Sequence, residues 1–239
     1  MKYEKIIKGK FKDRPNRFIA MVEVDGEAQK SHVKNTGRCK ELLVSDATVY
    51  LEDFAGRMGT RKMRYSLIGV EKKTEQGIIM INMDSQAPNK VVKEALISGK
   101  INLPGMDELV EIKAEYVYGD SRLDFYVKDQ SGKEGFIEVK GVTLENNGVA
   151  SFPDAPTERG IKHLKELEKA VNEGVNAYAI FVIQMKGVSV FKPNDQTHKA
   201  FGDALRHVQA KGVGILAYDC VVGEDYLEID QKIEIELYE

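Results

Sequence analysis

One stretch limits what this chain can fold into more than any other. From Ala177 to Met185 only Gln184 is polar, a run too short to cross a membrane and the right length for a strand. A strand without a polar face has to be covered on both sides, which places it inside a sheet flanked by other layers. Its neighbours supply such layers. Residues 157–172 read as a helix with Ile161, Leu164, Leu167 and Val171 on one face, and 195–210 as another. Strand-like segments at 109–118, 121–128, 135–144, 188–191 and 213–218 complete an alternating α/β pattern around a mixed sheet. A further helix after Pro88 carries Val91, Val92, Ala95 and Leu96 at helical spacing and stops near Gly99.

The first third follows a different period. Residues 18–24 alternate, turn at Asp25-Gly26 and return over 28–33, and 48–54, 65–71 and 77–82 follow between glycines. Five short strands in about seventy residues predict a small β-barrel of the oligonucleotide-binding (OB) type. The expected division is therefore a barrel over residues 1–84 and an α/β domain over 85–239.

Charge separates the same two parts. The chain as a whole carries −3, which argues against a protein that coats DNA without specificity, because such affinity comes from cations that displace counterions from phosphates. Residues 1–75 hold 17 lysines and arginines against 11 acids, whereas 76–239 hold 18 against 27. The barrel is thus the candidate anion-binding surface, with Arg38, Arg61, Lys62 and Arg64 as its nucleic-acid contacts. Strand ends also carry basic residues simply to guard edges, which is the competing reading.

Chemistry concentrates in the other domain. Glu-x-Lys occurs three times, but only Glu138-Val139-Lys140 follows, across the turn Asp129-Gln130-Ser131-Gly132, a strand that sets an acid between apolar residues, Leu123-Asp124-Phe125. Residues two apart in a strand share a face, so Glu138 and Lys140 point one way and Val139 the other. With Asp124 on the paired strand, two carboxylates and an ammonium meet. Close carboxylates repel unless a cation compensates, and Mg²⁺ or Mn²⁺ bound by one or two carboxylates and a substrate phosphate answers that need. Lys140 would orient water or stabilise developing charge. An ordinary cross-strand pair is the alternative. Downstream, Thr157 is a plausible N-cap, and Arg159 in the first helical turn is a natural phosphate receptor, with His163 a candidate substrate contact. On the helix after Pro88, Glu94 offers a further metal carboxylate, although a solvated face is its ordinary fate.

Four segments, Asn35-Thr36-Gly37-Arg38, Ser121-Arg122-Leu123-Asp124-Phe125, Glu138-Val139-Lys140-Gly141-Val142-Thr143-Leu144 and Phe152-Pro153-Asp154-Ala155-Pro156-Thr157-Glu158-Arg159-Gly160, resemble the sugar fermentation stimulation protein A family across nearly the whole chain. That resemblance implies an OB barrel joined to a restriction-endonuclease-like domain of the PD-(D/E)xK type. Family members are described as DNA-binding proteins tied to regulation of sugar metabolism, and the nuclease-like core implies DNA phosphodiester hydrolysis. The superfamily pattern makes Asp124 and Glu138 metal ligands, Lys140 the catalytic lysine and Glu94 the helix carboxylate, with Leu123-Asp124 in place of the usual Pro-Asp. A magnesium-dependent nuclease is the leading expectation. A noncatalytic DNA-binding regulator that kept the core is the alternative, and RNA is a further substrate.

Other chemistries lack their motifs. Gly212-x-Gly214-x-x-Ala217 follows a helix and opens a strand, the reverse of a dinucleotide site, and there is no P-loop, nucleophile elbow or His-Glu-x-x-His. Cys39 and Cys220 form no zinc pair and read as reduced thiols. His32, His198 and His207 read as satisfied or surface residues. No apolar leader or membrane-length run is present, so a cytoplasmic protein without membrane contact is expected.

Overall fold

The computed structural model describes every residue except Thr36, Gln76, Asp120 and Glu239. Six strands open it: β1 (Ile6–Asn16), β2 (Ile19–Val24), β3 (Glu27–Val33), β4 (Thr48–Asp53), β5 (Tyr65–Thr74) and β6 (Gly77–Asn82). They run in the order β3-β2-β1-β4-β5-β6, and a parallel pairing of β3 with β5 closes the first five into a barrel. Closure removes the exposed edges that an open sheet of this size would carry. Inward residues Ala20, Val22, Val49, Leu51, Leu67 and Val70 fill the interior.

The first strand departs from expectation, since the sequence reading places the barrel over residues 1–84 but no strand before residue 18. Only Gly9 and Phe11 of the eleven β1 residues are buried. A Cβ on Gly9 would stand 2.9 Å from the Glu23 carbonyl oxygen, so glycine is what lets β1 cross β2 closely. A strand whose inward positions are a glycine and one aromatic leaves almost no periodic signal.

Beyond the barrel come α1 (Ala87–Ile97), β7 (Leu109–Tyr118), β8 (Ser121–Asp129), β9 (Glu134–Val142), β10 (Leu144–Asn146) and β11 (Val149–Phe152). Then follow α2 (Glu158–Asn172), β12 (Asn176–Ile183), β13 (Val190–Pro193), α3 (Asp195–Ala210), β14 (Gly214–Val222), β15 (Leu227–Lys232) and β16 (Glu234–Ile235). The main sheet has the order β15-β14-β12-β9-β8-β7, with β9, β12 and β14 parallel at its centre. The apolar run becomes β12, buried at every position except Asn176. Ile180 and Val182 pack toward α1, while Ala179, Phe181 and Ile183 join Leu164 and Leu167 of α2 and Phe201 and Leu205 of α3. Truncating the wholly buried Phe181 to alanine would cost about 3–5 kcal/mol.

Gln184, the one polar residue of the run, ties the two units together. Its Nε2 donates to Asn82 Oδ1 at 2.9 Å and to the Asp84 carbonyl at 3.2 Å. Lys34 of the barrel reaches the buried Asp84 carboxylate at 2.8 Å. A small sheet, β10-β11-β13-β16, flanks the main one; of its strands the sequence reading anticipated a separate strand only near β13. Among the described residues no helix is long and apolar enough to cross a membrane.

Candidate active site

The centre of interest lies where β8 and β9 separate. Their antiparallel pairing runs from Lys128↔Glu134 to Phe125↔Ile137 and stops there. One residue further, where Asp124 and Glu138 would face each other, the Asp124 side chain takes over from its backbone: Oδ2 accepts the Val139 N–H at 2.7 Å. Oδ1 accepts Asn89 Nδ2 at 2.7 Å from α1. That helix comes close because the strand offers it a glycine. A Cβ on Gly141 would lie 2.8 Å from Pro88 Cγ and 2.6 Å from Gln184 Oε1.

The two-residue period then divides β9. Val139 packs on the α1 side with Ile137, and Glu138 and Lys140 face the opposite layer, toward α2. The α2 helix starts where Thr157 Oγ1 accepts the Gly160 N–H at 3.0 Å, a side-chain cap for an otherwise orphaned donor. Capping there sets Arg159 and His163 one turn apart on the same face. His163 is buried and its Nδ1 meets Glu138 Oε1, which Lys140 Nζ also contacts. Its Nε2 faces Arg159 Nε at 3.3 Å. Arginine only donates and a carboxylate only accepts, so this pair of partners selects the neutral imidazole protonated on Nδ1. Glu138 is 3% exposed, and its second oxygen, Oε2, is buried without a hydrogen-bond partner among the described residues.

The two carboxyls are pushed apart in acidity. Burial and then the Glu138 charge raise Asp124 above the usual aspartate value, against the opposing Val139 N–H and Asn89. Burial also raises Glu138, but His163 and Lys140 outweigh it and leave this group below the ordinary range. One acid is thus an anchored carboxylate and the other a strained neighbour.

Several expected site residues lie elsewhere. Glu94 does not approach Asp124; its Oε2 pairs with the Met1 amino group at 2.6 Å. Five positions along α1 from Asn89 rotate a side chain by well over a quarter-turn, so the residue that reaches Asp124 is Asn89. His163 is an internal brace of Glu138 rather than a surface contact. Arg64 is held by the buried Asp53 through both Nε–Oδ1 at 2.7 Å and Nη2–Oδ2 at 2.9 Å. Arg61 lies over the Phe54 ring at 3.6 Å and bonds Ser66 Oγ. Arg61 and the half-exposed Arg64 thus have partners within the barrel, whereas Lys62, Arg38 and Arg159 are exposed and have no acidic partner among the described residues. Of the other histidines, His198 Nδ1 accepts the Thr157 N–H, and His207 Nε2 lies 2.9 Å from Glu168 Oε1 at the surface. Sequence reasoning missed the bracing role of His163, for which the i, i+4 spacing from Arg159 was the available signal. Both cysteines are free and buried.

An OB-type barrel fused to a mixed sheet that splays an Asp strand from a Glu-x-Lys strand defines the class: a two-domain protein with a restriction-endonuclease-like core. Comparison with known proteins agrees. The family described as sugar fermentation stimulation protein RE domain matches residues 86–226, and the SfsA N-terminal OB domain matches 13–81. Sugar fermentation stimulation protein homologs of Clostridium beijerinckii and Desulfitobacterium hafniense (strain DSM 10664 / DCB-2) are 54% and 51% identical, covering 98% and 100% of this chain and 99% and 100% of their own. The chain belongs to the sugar fermentation stimulation protein (SfsA) family. A solved structure of Pyrococcus furiosus SfsA in complex with Ca²⁺ is similar at a TM-score of 0.85 and 26% identity, over 99% of this chain and 98% of that one.

Proposed function

We propose that this protein is a divalent-metal-dependent nuclease that hydrolyses DNA phosphodiesters. The observation that carries the reading is Glu138 Oε2, a buried carboxylate oxygen with no hydrogen-bond partner among the described residues, beside a second, destabilised carboxyl. Leaving such an oxygen unmatched costs about 1–3 kcal/mol or more, since it is charged, and a hard cation shared with Asp124 removes both that cost and the repulsion. Among the described residues no group of three or more His, Cys, Asp or Glu is arranged to hold a metal ion. A cation here would therefore have two carboxylates and fill its shell with water and phosphate, as Mg²⁺ or Mn²⁺ does in phosphoryl chemistry. The Ca²⁺ complex of the archaeal relative supports a hard divalent ion.

When bound, the cation supplies polarisation of the phosphate and a more acidic water. The chain's own residues do the rest. His163 and Lys140 fix Glu138 Oε1, so Oε2 is presented in one orientation. Asn89 and the Val139 N–H do the same for Asp124. Lys140, at the same carboxylate, is placed to hydrogen-bond an attacking water and to stabilise charge gathering on the phosphoryl oxygens. Arg159 uses Nε on His163 and leaves its two terminal nitrogens at the surface for an adjacent phosphate.

The test is incubation of labelled single- and double-stranded DNA and RNA with Mg²⁺, Mn²⁺ or EDTA. Cleavage of DNA that needs the cation is the expected result. Preference for RNA would change the substrate class, and absence of cleavage on every substrate would sink the nuclease and leave a DNA-binding regulator of sugar-metabolism genes.

A further inference from the structure

The barrel's cations divide once their partners are traced. Arg61 is engaged by Phe54 and Ser66, and Arg64, though half exposed, is paired with Asp53. On another side, Arg17, Arg38 and Lys40 are exposed, and none of them has an acidic partner among the described residues. They line a groove of about 300 Å³ together with Arg14, Asn16 and Gly37, and no acid among the described residues lines it. The groove is built rather than incidental. Arg14 donates to the carbonyls of Gly37 and Arg38 at 2.8 Å, of Arg17 at 2.8 Å and of Asn35 at 2.7 Å. One guanidinium thus sews the β1–β2 turn to the segment after β3, and its Nε remains buried and unpartnered among the described residues. Beside the groove, the neighbour of Arg17 is Phe18, an aromatic left 45% exposed with the Arg17 guanidinium 4.7 Å from its ring centroid.

The groove also leads to the acidic site. Gly37 lines it and abuts Asp154, whose carboxylate would collide with a Cβ at that position. Asp154 and Asn35 in turn line a cavity of about 110 Å³ with Gly141 and Thr143, and Gly141 follows Lys140 in β9. Cations, junction and Glu-x-Lys strand are therefore adjacent surfaces. Asp154 disfavours a phosphate at the junction itself, so phosphate contacts fall on either side of it.

We infer that this groove holds the phosphodiester backbone of a single DNA strand, with a base stacked on Phe18 and the following nucleotides reaching Asp124 and Glu138. A row of cations with an exposed aromatic beside it is the chemistry that grips single strands, whose bases have free faces. A duplex offers no such face to Phe18. The inference rests on the nuclease reading and assigns its strand and its entry path.

Fluorescence anisotropy with a labelled single-stranded oligodeoxynucleotide in EDTA, across a salt series, tests it without turnover. Reversal of two groove charges, Arg17→Glu with Lys40→Glu, should weaken binding at least about tenfold and flatten the logarithmic salt slope by about 0.7 for each phosphate no longer neutralised. Phe18→Ala should weaken single-strand binding about fivefold with the slope unchanged. Lys232→Glu, an exposed charge on β15, should do neither. Thermal melts check folding, and the milder Arg17→Gln with Lys40→Gln replaces the reversal if it unfolds. An unchanged slope in a folded groove variant, or losses confined to duplex DNA, overturns the inference. If that happens while the unmutated protein still cleaves, the nuclease reading survives; if the groove variants lose binding but no variant cleaves, the groove stands and the nuclease falls.

Discussion

Asp53 in the barrel and Glu138 in the α/β domain are both almost wholly buried carboxylates beside cations, at 1% and 3% exposure. Their surroundings differ in one respect. Both oxygens of Asp53 are satisfied, by Arg64, Lys5 and the Ala55 N–H, and hydrogen bonding to Arg64 holds the carboxyl far below the ordinary range. Glu138 has two donors on one oxygen and none among the described residues on the other, with Asp124 nearby. Burial of a charge is common to a structural lock and to a candidate site; what separates them is an unmatched lone pair next to a like charge.

The strongest test of this contrast is removal of the unmatched charge. Glu138→Gln and Asp124→Asn should each abolish metal-dependent cleavage and Mn²⁺ binding by calorimetry, while metal-free DNA binding stays level or improves because repulsion toward phosphate falls. Lys140→Ala should keep the metal and lose turnover. Wild-type Mn²⁺ affinity in both carboxylate variants would make Glu138 as structural as Asp53.

Weakening the brace comes next. His163→Ala should lower Mn²⁺ affinity by about 10- to 100-fold, the usual effect of removing a group that orients a metal-binding side chain. An unchanged affinity would mean that Lys140 alone suffices to hold Glu138. For the barrel carboxylate the expectation reverses: Asp53→Ala should lower stability by about 2 kcal/mol, read by urea unfolding, because Arg64 and Lys5 lose a charged partner but can regain water. Its Mn²⁺ affinity should match that of the unmutated protein.

Acidity sharpens the comparison further. With Asp124 raised, the folded protein binds that proton more tightly than the unfolded chain, so its contribution to stability is present at low pH and is lost as pH rises through the raised value. Glu138, lowered, contributes stability at neutral pH that is lost only as pH falls through its depressed value. Melting curves in EDTA should therefore show a gain on mild acidification toward the ordinary aspartate range, about 4, which Asp124→Asn removes. The smallest effect expected is at Glu94. Glu94→Gln should leave Mn²⁺ affinity within about twofold, well under the 1.4 kcal/mol of a tenfold change, since that carboxylate is engaged with Met1. A large loss would put it back among the ligands.

What the sequence determined by itself was whatever repeats locally. The two-residue alternation announced a barrel, the apolar run announced a sheet covered on both faces, and the same period placed Glu138 and Lys140 on one side of β9, with the 129–132 turn bringing the Asp124 strand alongside. The helix starts marked by the Thr157 cap and by Pro88 in the first turn of α1 were equally legible, being short-range. Tertiary structure alone decided which charges are free. Arg38 and Lys62 look no different in sequence from Arg61 and Arg64, yet the latter two meet Phe54 and Asp53 at the end of the neighbouring strand β4. Likewise Asn89 rather than Glu94 reaches Asp124, 35 residues away, and His163 turns inward to Glu138, 25 residues away. Periodicity says which side of an element a residue occupies; the partner waiting on that side comes from another element, and for a charged group that partner decides between lock and site.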